Sequence, residues 1–152
     1  MSSAAHHMPA LRLSITASLA RANKLDGAWW PYSTNVTQEL EPLLEALSRR
    51  LGRIRGVLLN RSEWEPTPLD WIPCGNRRTK ISWYGLQDAD TAVVIGDNDK
   101  RVALLVIPPS AVVTSAIRAM DMASAARNEL TGAQTLQAVG VTREVVASGG
   151  EQ

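Results

Sequence analysis

The sequence predicts an α+β domain, with one largely antiparallel sheet of about five strands and two helices packed on it. Three patterns carry this. Leu11 to Thr16 alternates apolar and polar residues, the period of a half-buried strand. Val36, Leu40, Leu43, Leu44, Leu47 and Leu51 form one apolar stripe at helical spacing. Two apolar runs, Thr91 to Ile95 and Arg101 to Ile107, flank the polar turn Gly96-Asp97-Asn98-Asp99-Lys100, as in a hairpin.

The elements follow in chain order. Leu11, Leu13 and Ile15 give the first strand one apolar face. A loop from Ala22 to Tyr32 follows, where Pro31 drives Trp30 toward an extended conformation. Ser33 or Asn35 opens the first helix, and Asn35 with Gln38 has the form of a capping box. Arg49 and Arg50 suit the helix C-terminus, and Gly52 stops it. Pro42 predicts a kink near Glu39, or a main helix that begins at Pro42. Ile54 to Asn60 reads as a strand. Residues 61 to 78, with Pro66, Pro68, Pro73 and Gly75, read as a long irregular loop. Thr79 to Tyr84 alternates, with Ile81 and Trp83 on one side. Val102 to Ile107 is apolar on both faces and belongs centrally in the sheet, until Pro108-Pro109 ends it. The second helix spans Ser110 to Arg127, with Val113, Ala116, Ile117 and Met120 as its apolar side.

Residues 1–10 read as a flexible tip, 11–128 as a single α+β domain and 129–152 as a mostly disordered tail. A chain of 152 residues fits one domain. Its 16 basic and 15 acidic side chains give no general pull toward nucleic acid or an anionic membrane. One cysteine, Cys74, permits no internal disulfide and fits a reducing, cytoplasmic setting. No apolar run reaches the ~20 residues of a membrane span, and Arg12 interrupts the only stretch resembling an export signal.

The chain has no Phe but five Trp, all between Trp29 and Trp83. Two stand together in Asp26-Gly27-Ala28-Trp29-Trp30-Pro31, and Trp64 and Trp71 lie in the 61–78 segment. Such rings either fill a core or line a site. The candidate ligand-binding residues are Asp26, Trp29, Trp30, Trp64, Trp71 and Arg77, in a site closed between loops 26–32 and 61–78.

Much chemistry is excluded. The two histidines, His6 and His7, sit in the tip, which leaves no His base for the fold. Cys74 alone cannot make a zinc site, and both common nucleotide-binding fingerprints are missing, so neither metal nor cofactor is expected. Glu63, Glu65 and Asp70 flank Trp64 and Trp71, as paired carboxylates flank a glycosidic bond in a hydrolase. Arg49, Arg50, Arg53, Arg55 and Arg61, with Arg77, Arg78 and Lys80, form the densest charge cluster, a candidate phosphate or RNA patch.

The segments Asp26-Gly27-Ala28-Trp29-Trp30-Pro31, Leu51-Gly52-Arg53-Ile54, Asn60 with Trp64, Trp83 with Gln87-Asp88, Leu104-Leu105-Val106-Ile107-Pro108-Pro109 and Ala119-Met120 resemble a bacterial family of small uncharacterised proteins, catalogued as a domain of unknown function. The resemblance covers roughly residues 11 to 128 and implies one structural unit but no activity. Relatives often carry Arg after the Pro of the Trp-Trp-Pro segment. Here that residue is Tyr32, so a ligand contact made by that Arg does not carry over.

Together these readings predict a non-catalytic small-ligand-binding or regulatory domain. A carboxylate-based hydrolase using the same loops, and an RNA- or phosphate-binding module using the Arg49–Arg61 cluster, are the alternatives. The expected partner is a small molecule or a protein, rather than nucleic acid or a membrane.

Overall fold

The computed structural model describes residues 10–16, 25–65, 70–74, 77–84, 90–125 and 130–141. The expected tip and the end of the tail therefore lie largely outside the described residues, as does the start of the first loop.

Strand β1 (Leu13–Ile15) is followed by β2 (Gly27–Trp29) and the helix α1 (Val36–Leu51). Asn35 caps α1 by accepting the Gln38 N–H at 3.1 Å. Gly52 ends it at a φ of 71°, a positive value that glycine adopts without a Cβ penalty, and donates its N–H to the Ser48 carbonyl at 2.9 Å. The helix begins at Val36 and runs on through Pro42, so it does not start at the proline. Pro42 removes one N–H only, the donor that would reach the Gln38 carbonyl. Buried Leu40, Leu43, Leu44 and Leu47 hold the helix down on both sides of it.

Strand β3 (Gly56–Asn60) leads into a single 3-10 turn, Arg61–Glu63, then β4 (Trp71–Cys74) and β5 (Arg77–Tyr84). Strands β6 (Thr91–Ile95) and β7 (Arg101–Val106) form the expected hairpin. Asn98 and Asp99 take positive φ in its turn, a conformation these two residue types tolerate. Helices α2 (Val113–Ala123) and α3 (Gly132–Ala138) complete the described chain.

The sheet is mixed and has seven strands, in the order β1-β2-β7-β6-β3-β5-β4. This corrects the expected largely antiparallel sheet of about five strands, and the helices number three among the described residues, not two. Strands β2 and β7 pair in parallel, as do β3 and β5, and the other four pairings are antiparallel.

The missed elements are short and made of poor formers. Strand β2 reads Gly-Ala-Trp and is extended because β1 and β7 hold it from both sides. Strand β4 contains Pro73 but lies at the sheet edge. The Ile81 N–H reaches the Asp70 carbonyl at 2.8 Å. Alternation along an antiparallel pair then points the Pro73 nitrogen away from β5, where no ladder bond is lost. Helix α3 lies in the stretch read as tail. Its sequence is polar, yet Thr131 and Gln134 form a reciprocal capping box, and Leu136 is buried.

The sheet separates two cores. Helix α1 covers one face, where its leucines meet Val57, Leu59, Ile72, Ile81, Val94, Val102 and Leu104. Helices α2 and α3 lie on the other, over Leu25, Ala28, Leu105 and Ile107. Helix α2 turns Ala116, Ala119 and Ala123 inward, while Val113 and Ile117 face out, reversing part of the expected apolar side. The alanines let the helix lie close on the sheet, where Ser14 Oγ donates to the Met120 carbonyl at 3.1 Å. Among the described residues, no helix is long and apolar enough to cross a membrane.

Adjacent Trp29 and Trp30 point to opposite faces, as successive strand residues must. Trp29 enters the α1 core and stacks on Trp64, with centroids 5.3 Å apart. Trp30 enters the α2/α3 core and donates Nε1–H to the buried Pro108 carbonyl at 3.1 Å. The Trp64 Nε1–H is buried without an acceptor. Trp30→Phe is therefore expected to cost about 1–3 kcal/mol more stability than Trp64→Phe, which loses no hydrogen bond. Urea unfolding of the two variants checks this, and equal losses would contradict the assignment.

Candidate functional site

The chain leaving β2 builds one wall of a cavity. Trp30 and Tyr32 flank the guanidinium of Arg12, whose central carbon lies 3.6 Å and 3.7 Å from the two ring centroids. Arg12 also donates Nε–H to the Trp30 carbonyl and an Nη2–H to the Pro31 carbonyl, each at 2.9 Å. Burial lowers its pKa, and Tyr32 and Glu39 oppose that shift. Tyr32 donates its hydroxyl to the Ala10 carbonyl at 2.6 Å. Glu39, in the first turn of α1, accepts the Tyr32 N–H at 3.0 Å and the Ser33 hydroxyl at 2.8 Å.

This scaffold borders an open-mouthed cavity of about 450 Å³. Its apolar part comes from Leu11, Trp29, Trp30, Pro31 and Pro42. Its polar part comes from Ser33, Thr37, Gln38, Glu39 and Glu41. The Gln38 carbonyl lacks the helical donor that residue 42 would supply, because residue 42 is proline. Acceptors therefore dominate the polar rim, and the one guanidinium is already committed to backbone carbonyls.

The sequence-named residues do not gather in one place. Trp29, Trp30 and Trp64 are 1%, 6% and 3% exposed, whereas Trp71 is 45% exposed. Trp29 and Trp30 border the cavity, and Trp64 lies behind Trp29 as a packing partner. Trp71 sits on edge strand β4 with Arg78 and Lys80 beside its ring, at 5.2 Å and 5.7 Å. Arg77 lines a different groove, between α1 and the β4–β5 hairpin. Residues 61–65 do meet the chain after β2, through the Trp29–Trp64 stack and a bond from the Glu65 N–H to the Thr34 carbonyl at 3.0 Å, whereas 71–74 and 77–78 belong to strands.

The carboxylates are likewise dispersed. Asp26 accepts the Ala103 N–H at 2.9 Å and donates its own N–H to the Ala103 carbonyl at 2.7 Å, joining β2 to β7. Glu65 accepts the Thr34 hydroxyl at 3.2 Å, and Glu63 is buried. Asp70 lies at the far edge of the sheet, before β4. In the arginine cluster, Arg50 donates to the Thr16 carbonyl at 3.2 Å and Arg55 pairs with Asp97 at 3.5 Å. Among the described residues, no three His, Cys, Asp or Glu side chains converge as metal ligands.

Sequence reasoning missed Arg12, Tyr32, Glu39 and Glu41 as cavity residues. Arg12 carried one signal, a charge within an apolar alternation. The remainder depended on α1 starting beside β2.

Fold and cavity define a domain in which a mixed sheet, covered by helices on both faces, carries an acceptor-rich pocket at a strand end. The chain belongs to a family of unknown function, DUF5994, which matches residues 12–123. That span runs from the clamped arginine to the last residue of α2. No curated protein and no solved structure matches the chain.

Asp26 gives a pH prediction. Burial raises its pKa above the ordinary 3.8, with the Ala103 N–H and Arg101 opposing. A raised folded-state pKa favours the protonated form in the fold, so its contribution is complete below the unfolded pKa and is lost as pH rises through the folded one. The stability difference between wild type and Asp26→Asn should thus shift against wild type as pH rises from below 3.8 toward neutrality. Urea melts across that range check it, and a difference independent of pH would contradict it.

Proposed function

We propose that this chain is a non-catalytic small-ligand-binding or regulatory domain, and that its ligand occupies the cavity beside the Trp-Trp-Pro-Tyr segment. The observation that carries this reading is an apolar-floored cavity of about 450 Å³ on a rigidly braced loop. Such a volume suits a small organic molecule.

Its position supports the reading. Parallel neighbours β2 and β7 send α1 and α2 to opposite faces of the sheet. Ligands in open sheets of this kind bind outside the carboxyl ends of strands, at such a switch in direction. The cavity opens at the carboxyl end of β2.

The lining selects a chemical class. Glu39, Glu41, Ser33 and Thr37 offer acceptors above an apolar floor. A ligand with amine or hydroxyl donors on a compact apolar body matches them. The lone Cys74 supports a reducing, cytoplasmic setting for this activity.

Thermal-shift screening against primary amines and polyols tests the reading, with Thr37→Trp as the blocking variant. Thr37 is exposed on the cavity wall, so the substitution fills the cavity and leaves both cores intact. A ligand present at about 100 times its Kd should stabilise wild type by about 2.7 kcal/mol and leave the variant unshifted. Equal stabilisation of both proteins, or of neither by any panel member, would overturn the assignment.

A further inference from the structure

A second groove, of about 540 Å³, runs between α1 and the β4–β5 hairpin. One wall carries Glu41 and Glu45, four residues apart and therefore on the same side of α1. The basic lining residues are Arg77 on β5 and Arg53, just beyond the C-terminus of α1. Cys74 lies in the groove, in register opposite Arg77. Burial raises the Cys74 pKa, the Thr79 hydroxyl opposes this, and the charges of Glu45 and Glu41 raise it further. The acidic wall therefore acts on the thiol across the groove.

The four charges stay apart. Among the described residues the ion pair formed is Arg55–Asp97, and none of Glu41, Glu45, Arg53 and Arg77 closes on another within 4.0 Å. Two carboxylates and two guanidiniums thus line one groove with their charge unpaired and a gap between them. A molecule with a cation at one end and an anion at the other can bridge that gap. An ammonium offers three donors to the Glu pair, and a carboxylate takes the forked donors of arginine.

We propose that this groove binds a zwitterionic ligand of the short-peptide class, with its amino terminus on Glu41 and Glu45 and its carboxylate on Arg77 and Arg53. A volume of about 540 Å³ leaves room for a di- or tripeptide rather than one small amino acid. This site is separate from the cavity at the carboxyl end of β2, although Glu41 and Pro42 border both.

The single thiol supplies the readout. Full-length protein is alkylated with iodoacetamide in the presence of millimolar Ala-Ala or Ala-Ala-Ala, with their N-acetylated and C-amidated forms as controls. The free peptides should slow Cys74 alkylation several-fold, and each capped form should bind roughly five- to tenfold more weakly. Arg77→Gln should erase the preference for a free carboxylate, and Glu45→Gln the preference for a free amine. Both residues are exposed, so neither change disturbs the core. Thr37→Trp should leave protection intact, which separates this result from the fate of the other cavity. No protection by either free peptide, or equal protection by free and capped forms, would overturn the proposal.

Discussion

The structure depends on the alternation of side chains at Trp29 and Trp30. A strand cannot place two successive residues on one face. Two of the largest side chains in the sequence are therefore divided, one into the α1 core and one into the α2/α3 core. Backbone pairing fixes the strand that carries them. Trp29 lies in register with Val106 on β7, and its carbonyl accepts the Ile107 N–H at 2.9 Å. The Trp30 indole reaches one residue further, to Pro108. The Trp-Trp-Pro and Leu-Val-Ile-Pro-Pro segments are thus neighbours in the sheet and share both cores. On the other side of β2, Gly27 permits the close approach of β1, since a Cβ there would overlap the Ser14 carbonyl.

The cavity inherits its order from the same strand. Once Trp30 is fixed below the sheet, Pro31 and Tyr32 must leave in a set direction. Arg12 then holds that exit by donating to two successive carbonyls between two aromatic faces. Glu39 holds the next two residues from the start of α1. The result is a polar rim on a loop braced by its own hydrogen bonds. Pro42 also borders the cavity, and as proline it offers no N–H to the Gln38 carbonyl one turn back.

The legible parts of the fold were those with long, regular patterns. The leucine stripe gave α1 with its Asn35 cap and Gly52 stop, and the apolar runs around residues 96–100 gave the β6–β7 hairpin. Strands β2 and β4 were illegible because their residues do not favour strands; their neighbours impose the extended form. Helix α3 was hidden because one leucine, Leu136, supplies most of its apolar contact. The largely antiparallel expectation failed on the two parallel pairings, which depend on where α1 and the loops carry the chain. In the site, the Trp-Trp-Pro segment was visible, but its rings serve mainly as anchors. The residues around the cavity come from β1, the loop after β2 and α1, a juxtaposition that no local spacing encodes.

The claim that each tryptophan of the pair holds a separate layer is tested most directly by native-state hydrogen exchange on Trp29→Leu and Trp30→Leu. Amides of α1 and of α2 report the opening of the two layers independently. The account predicts that Trp29→Leu lowers protection chiefly in α1, and that Trp30→Leu lowers it chiefly in α2 and α3. Equal loss of protection across both layers in each variant would contradict it.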